Sequence, residues 1–173
     1  MRRAIRRSCG LSCGIKWPND LVLSGRKVCG ILAEALPGPE GSLWVVVGIG
    51  INVCVPQSMV PEALRESAVS IDDVAEKPTD RVALLAKVLD HLETCYETVL
   101  KEGFGPILDE WRRYSVTLGR MVKVIAPDTT YTGKAEDIDE EGALLVRREN
   151  GHVERVLAGD VSIRPAQGKG KYQ

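Results

Sequence analysis

The feature that most constrains this fold is the apolar run from Leu43 to Ile49, which only Gly48 interrupts. Such a run is typical of a strand buried on both faces of a sheet. Upstream, Leu21 to Leu23 and Val28 to Ala33 flank the turn Ser24 to Lys27, and this pattern predicts a β-hairpin. We therefore expect a mixed or antiparallel sheet in the first part of the chain.

From Thr79 onward the apolar pattern changes to helical spacing. Thr79 is the expected N-cap of this helix, and Gly103 lies just beyond its last turn. A shorter helix is predicted from Pro106 to Tyr114. Both helices are expected to pack on the sheet. The first would do so through apolar residues at intervals of three and four: Val82, Leu85, Ala86, Leu89, Leu92, Tyr96 and Val99.

Beyond Leu118 the chain consists of short apolar stretches separated by turns. The stretches predict strands at 121–125, 131–137, 143–148, 153–157 and 161–164. This spacing is typical of a small closed barrel of the SH3-like type. The sequence thus predicts an α+β protein, with a sheet and packed helices over residues 1–116, a barrel over 117–165 and a flexible tail over 166–173.

Composition excludes several classes of function. The 23 Lys and Arg residues nearly balance the 24 Asp and Glu residues, so no general field attracts nucleic acid or an acidic membrane. No apolar run reaches the length of a membrane span, and Met1 to Arg7 lacks the apolar core of a secretory signal. The five irregularly spaced cysteines indicate reduced thiols and a cytoplasmic protein. The composition is compatible with a function that acts on a small molecule.

Three segments concentrate glycine and polar residues within the apolar sheet. They are Lys16 to Asp20, Arg26 to Leu32 and Gly48 to Asn52. In the third segment, strand alternation places Gly48, Gly50 and Asn52 on one face. A strip without side chains would let a flat ligand lie against the backbone.

The charged residues of these segments suit a nucleotide phosphate. Lys27, placed in the hairpin turn, offers an ammonium for a carboxylate or phosphate oxygen, and Lys16 adds a second positive charge. Asp20 is an oxygen ligand of the kind that Mg²⁺ prefers when it bridges phosphates. Each segment alone has a plainer explanation: a strand bulge, a solvated lysine or a turn after Pro18. Their order and short separation favour one shared site.

The same segments resemble the signature of a known family. Lys-Trp-Pro-Asn-Asp at 16–20, Arg-Lys-Val-Cys-Gly-Ile-Leu-Ala-Glu at 26–34 and Val-Gly-Ile-Gly-Ile-Asn-Val at 47–53 look like the motifs of the biotin-protein ligases. Ala158 to Ile163 resembles the end of that family's SH3-like C-terminal domain. The resemblance implies a class II synthetase-like catalytic fold of the biotin/lipoyl ligase type.

The resemblance also implies a reaction. Biotin and ATP are joined into biotinyl-5'-AMP with release of pyrophosphate, and biotin then passes to a lysine of the biotin carboxyl carrier domain of a carboxylase. Mg²⁺ would accompany ATP, and the resemblance allows a homodimer. Lys27 would contact the biotin carboxylate and the adenylate phosphate, and Lys16 would neutralise phosphates. The other implied site residues are Asn19, Asp20 and Asn52 for nucleotide and Mg²⁺, and Gly30, Gly48 and Gly50 for biotin.

The chain departs from the family pattern upstream. The family's Gly-Arg-Gly-Arg-x-Gly-Arg loop, which encloses biotin and adenylate, has no counterpart before Lys16. We therefore expect an N-terminally incomplete catalytic domain that is inactive, or nearly so, unless another chain supplies the missing part. Two alternatives stay open: a related lipoate or octanoate ligase, and a non-catalytic fragment that binds a carrier protein.

Overall fold

The computed structural model describes residues 1–126, 129–157 and 164–165, and the chain divides into two compact units. The first unit contains residues 1–13 and 19–87, and the second contains residues 14–18 and the remainder from Val88. The flexible tail expected over 166–173 and most of the strand expected at 161–164 lie outside the described residues. The boundary expected between residues 116 and 117 stays a prediction.

The elements confirm the α+β class. The helices are α1 (Arg2–Cys9), α2 (Arg81–Glu102) and α3 (Gly105–Tyr114). The strands are β1 (Gly14–Lys16), β2 (Asp20–Leu23), β3 (Arg26–Pro37), β4 (Leu43–Ile51), β5 (Met121–Ala126), β6 (Thr129–Ile138), β7 (Leu144–Arg147), β8 (Val153–Val156) and β9 (Arg164–Pro165). Among the described helices, none is long and apolar enough to cross a membrane.

The predicted hairpin is confirmed as an antiparallel pairing of β2 with β3. Its turn is shorter than expected, because Ser24 and Gly25 alone make it, with φ values of 48° and 78°. Two consecutive positive φ angles are typical of the two-residue turns that match the twist of the strands. Lys27 is consequently a strand residue of β3, and its expected placement in the turn was wrong.

β4 pairs antiparallel with β3, so that Gly30 lies opposite Gly50 and Leu32 opposite Gly48. The expectation that this strand is buried on both faces was wrong. Leu43 is 68% exposed and Val45 is 57% exposed. Within the first unit the described strands follow the order β2-β3-β4, so β4 has a neighbour on one side only. Apolar composition predicted a covered strand, but the described residues provide no cover.

Burial in the first unit is concentrated away from the distal part of β3 and β4. The fully buried side chains include Ile5 of α1, Val28 and Cys29 of β3, and Ile71 of the segment that follows β4. Leu21, Val22 and Leu23 of β2 are also buried. The core of this unit therefore lies around the β2–β3 hairpin, where β3 begins.

Helix α2 begins one residue later than predicted and turns a different face inward. The Asp80 carboxylate, not Thr79, caps it, since Oδ1 accepts hydrogen bonds from the N–H groups of Val82 and Ala83 at 2.9 and 3.0 Å. Gly103, with φ 75°, follows its last residue as predicted. The buried positions are Leu84, Val88 and His91.

The predicted apolar face of α2 is largely exposed, so the expectation that it packs on the sheet was wrong. The exposed members are Val82, Leu85, Leu89, Leu92 and Tyr96. The helix is apolar on more than one side, and its spacing alone could not single out the buried face.

The second unit contains a five-stranded antiparallel sheet in the order β8-β7-β6-β5-β9. The strands predicted from Met121 to Leu157 are confirmed within a few residues. Among the described residues no pairing joins β8 to β9, so closure into a barrel stays a prediction. The core of this unit consists of Trp17, Val122, Val124, Ala135, Ile138, Leu144, Val146 and Val156.

The core of the second unit contains Trp17, the tryptophan of the Lys-Trp-Pro-Asn-Asp motif. Its indole N–H donates to the carbonyl oxygen of Gly142 at 3.0 Å, and its backbone N–H donates to Thr117 Oγ1 at 2.9 Å. The side chain is 3% exposed. Trp17 is thus a structural residue of the second unit.

The difference in burial between two valines of the same sheet gives a stability test. We expect Val28→Ala to lower the free energy of unfolding by about 2 kcal/mol, because it removes buried methyl groups and leaves a cavity. Val45→Ala makes the same chemical change at an exposed position and should cost less than about 1 kcal/mol. Urea unfolding followed by circular dichroism measures both; equal losses would contradict the burial of Val28.

Candidate functional site

An open cleft of about 390 Å³ lies over the β3–β4 pairing of the first unit. Five residues predicted from the sequence line it: Asn19, Lys27, Gly30, Gly48 and Gly50. The apolar lining is Ile31, Leu32 and Ile49. The structure therefore brings the lysine and the glycine strip of two separate sequence segments into one concave surface.

Asp20 joins this site through an ion pair. Lys27 Nζ lies 2.5 Å from Asp20 Oδ1, and the two side chains are 50% and 19% exposed. Asp20 lies opposite Gly30 in the β2–β3 register, while Lys27 lies opposite Val22. The Lys27 ammonium is half-exposed although Asp20 Oδ1 is buried, and the consequence of the pair that matters here is that it holds the ammonium at the cleft.

The backbone of Lys27 is fixed by the segment from Ser67 to Val69, in which sequence reasoning assigned no site residue. The Lys27 N–H donates to Ser67 O at 2.7 Å, and the Lys27 carbonyl accepts from the Val69 N–H at 2.9 Å. These two bonds form a parallel bridge between Lys27 and Ala68. The available signal was the pair of apolar residues Val69 and Ile71, which are buried here together with Ser70 between them. Lys27 thus combines a fixed backbone with a half-exposed ammonium.

Asn19 holds the backbone of β3. Its side-chain Nδ2 donates to Ile31 O at 2.6 Å, and the Ile31 N–H donates back to the Asn19 carbonyl at 3.0 Å. Both bonds anchor the strand where it passes Gly30. The nucleotide contact expected for Asn19 stays a prediction.

Asn52 lies at a second, smaller cavity of about 180 Å³. Val55, Leu64, Val69 and Ser70 are among its other lining residues. Asn52 Nδ2 lies 3.4 Å from the Lys27 carbonyl, and the Asn52 N–H donates to Val28 O at 2.9 Å. Asn52 is therefore connected to the backbone around Lys27 but does not line the first cleft.

The geometry of the first unit does not test the phosphate role predicted for Lys16 or the Mg²⁺ role predicted for Asp20. Lys16 ends β1 and belongs to the second unit. The described part of the chain contains no group of three or more His, Cys, Asp or Glu side chains that could hold a metal ion. Asp20 fits Mg²⁺ only as a single carboxylate beside nucleotide phosphates, which is a common arrangement for this ion.

Comparison with known proteins now decides the family. Residues 2–52 match the biotin/lipoate A/B protein ligase family, and residues 117–164 match the biotin protein ligase C terminal domain. The chain belongs to the biotin protein ligase family. The first match contains all eight predicted site residues, and the resemblance inferred from the motifs is confirmed.

Curated relatives and a solved structure agree with this membership. The bifunctional ligase/repressor BirA of Bacillus subtilis is 31% identical over 93% of this chain and 49% of its own length. The biotin–[acetyl-CoA-carboxylase] ligase of Paracoccus denitrificans is 33% identical over 83% of this chain and 63% of its own length. The Aquifex aeolicus biotin protein ligase in complex with biotin and ATP superposes with a TM-score of 0.79 at 28% identity, covering 95% of this chain and 67% of that one. The chain spans about half the length of its first curated relatives.

The buried thiol of Cys29 lies next to Gly30, which lines the cleft. Cys29 is 1% exposed, and burial raises its pKa to about 11; Cys13, 4% exposed, has its pKa raised to about 11 for the same reason. Cys54, two residues beyond Asn52, is exposed. Both buried thiols are therefore protonated at neutral pH and closed to reagents.

We expect iodoacetamide at pH 8 to modify Cys54 and to leave Cys29 and Cys13 unmodified, as read by peptide mass mapping. In urea all three should react, which serves as the control. Because the raised pKa belongs to the folded state, the free energy of unfolding should also fall as the pH rises from about 9 to about 11. Modification of Cys29 in the folded protein as fast as Cys54 would contradict this account.

Proposed function

We propose that the chain supplies the acyl-adenylate site of an enzyme that attaches biotin to a specific lysine of a carrier domain, with ATP as the second substrate. The carboxylate of biotin attacks the α-phosphate of ATP, which forms biotinyl-5'-AMP and releases pyrophosphate. The amine of the carrier lysine then attacks the acyl carbon, which forms an amide and releases AMP. The acceptor is the biotin carboxyl carrier domain of a biotin-dependent carboxylase.

The observation that carries this proposal is an ammonium beside a glycine strip. Lys27 stands at the edge of a cleft whose floor includes Gly48 and Gly50, with Ile31 and Leu32 beside them. A compact ring system that lies close to the backbone suits that floor, and a carboxylate suits the ammonium. Biotin carries both parts, a fused ring system and a carboxylate on an aliphatic chain.

The remaining residues take the roles that the motifs predicted. Lys27 neutralises charge on the carboxylate and on the adenylate phosphate as the mixed anhydride forms, so that positioning and electrostatics provide the rate. Asn19, Asn52 and Asp20 serve the nucleotide, Lys16 its phosphates, and Gly30, Gly48 and Gly50 the biotin. Mg²⁺, held at Asp20 and the phosphates, would supply further charge neutralisation. The described cysteines are all free thiols, as is typical of cytoplasmic proteins. The proposed reaction has no nucleic-acid substrate.

The acid that the enzyme attaches distinguishes this proposal from its first alternative. The family match includes lipoate ligases, so the two acids must be compared directly. A complete ligase, meaning a protein of the relatives' full length that contains these 173 residues, is incubated with ATP, Mg²⁺, a biotin carrier domain and either biotin or lipoate. We expect mass spectrometry to show addition of biotin and no addition of lipoate. Attachment of lipoate alone would overturn the proposal.

Replacing the central lysine tests the site. We expect Lys27→Ala in the complete ligase to lower pyrophosphate release by about 10²–10³-fold, because the charge that develops on the transferred group loses its partner. Arg26→Ala removes the neighbouring positive charge and serves as the matched control, with a small effect. Pyrophosphate release near the wild-type rate in Lys27→Ala would refute the assignment.

A non-catalytic fragment is the second candidate, and the exposed apolar residues of β4 favour it for the chain alone. Calorimetry of the 173-residue chain with biotin separates the two. Measurable affinity would count against an inert module, and absence of binding together with activity of the complete ligase would show that the site needs further polypeptide.

A further inference from the structure

Gly30 differs from the other two glycines of the cleft in what surrounds it. A Cβ at Gly30 would lie 3.0 Å from both Cε and Nζ of Lys27 and 3.4 Å from Asp20 Oδ1. The space that a side chain would fill is thus already occupied by the end of the Lys27 side chain. The expectation that Gly30 simply lies behind a flat ligand does not account for this.

Gly48 and Gly50 instead have room for a Cβ. A Cβ at Gly48 would meet nothing nearer than Leu32 O at 3.8 Å, and a Cβ at Gly50 nothing nearer than Gly30 O at 3.9 Å. Both distances are ordinary van der Waals contacts. A side chain at either position would therefore extend into the cleft, where a ligand would lie, without touching Lys27.

A bulge explains why Lys27 reaches Gly30 at all. The β2–β3 register shifts between Leu21 and Val22, so that Val28 is an extra residue with no opposite residue on β2. In a regular strand, residues three positions apart point to opposite faces. The extra residue compensates for this alternation and puts Lys27 and Gly30 on the same face.

We propose that Gly30 is a positioning residue for Lys27. Because Gly30 lacks a Cβ, the Lys27 ammonium can lie flat over β3 and pair with Asp20, at the edge of the cleft. Asp20 holds the ammonium there until the anionic group of a ligand competes for it. The role of the ammonium in binding rests on the proposed function, whereas the geometry does not.

The geometry is tested without ligand on the chain itself. Correlation of lysine Hε protons with ¹⁵Nζ gives a signal for each lysine, and Lys27→Met assigns that of Lys27. We expect Gly30→Ala and Asp20→Asn each to move the Lys27 signal toward that of a solvated lysine. Gly48→Ala, the matched glycine replacement, should leave it unchanged. An unchanged Lys27 signal in Gly30→Ala would overturn the proposal.

Folding is not expected to obscure this result. The atoms that a Cβ at Gly30 would meet most closely belong to the flexible end of a half-exposed lysine, which can move aside. Circular dichroism checks each variant. Asp20→Asn provides an independent route to the same displacement, because it removes the partner of Lys27 and leaves the backbone of β3 unaltered.

The functional consequence is tested by a double-mutant cycle in the complete ligase, with biotin binding measured by calorimetry. We expect Gly30→Ala to weaken binding about tenfold when Lys27 is present and to have no further effect in Lys27→Ala, since both remove the same charged contact. Gly48→Ala should weaken binding equally in both backgrounds, because it obstructs the cleft directly.

The outcomes distinguish a failure of the positioning role of Gly30 from a failure of the proposed biotin-ligase function. Equal effects of Gly30→Ala with and without Lys27 would overturn the positioning role. Failure of the unaltered complete ligase to bind biotin would instead refute the proposed function, and the lysine spectra would still decide whether Gly30 positions Lys27.

Discussion

The site depends on one local constraint, the pairing of Asp20 with Gly30 across the β2–β3 hairpin. That register places a carboxylate directly opposite the residue without a side chain. The extra residue Val28 then turns Lys27 onto the same face, and its ammonium reaches Asp20 Oδ1. If the register moved by one residue, every side chain of the strand would change face and the ion pair would be lost.

The hairpin keeps this geometry because backbone bonds hold it from several directions. The chain from Ser67 to Val69 pairs with Lys27, and Asn19 is bound to Ile31 through both its side chain and its carbonyl. Asn52 connects the end of β4 to the backbone at Val28. The asparagines for which we propose a role at the nucleotide therefore also hold the strand that carries Lys27.

The most apolar segments of the chain are among its most exposed. The distal part of β4 and one face of α2 present large side chains to solvent, whereas the buried core lies around the start of β3. Exposed apolar surface of this extent commonly marks an interface. Hydrophobic composition predicted burial correctly as a tendency, but burial requires a second surface, and the described residues contain none for these segments.

The sequence by itself determined most of the elements and the family, and it named five of the residues that line the cleft. Alternation and turn residues predicted the hairpin and most strands, helical spacing predicted α2 with its end at Gly103, and three short motifs identified the family. These signals are local, because strand alternation, caps and turns depend on neighbouring residues. The same signals named the glycines of the cleft but not its apolar lining.

Only the tertiary structure decided which apolar face is covered and which polar groups meet. The bulge at Val28, the bridge from Lys27 to Ala68 and the placement of Trp17 in the core of the second unit all depend on contacts between distant parts of the chain. Alternation in the sequence would have put Lys27 and Gly30 on opposite faces. It is the pairing of β2 with β3, with Val28 as its extra residue, that puts them on one face, and no pattern within a single strand contains that information.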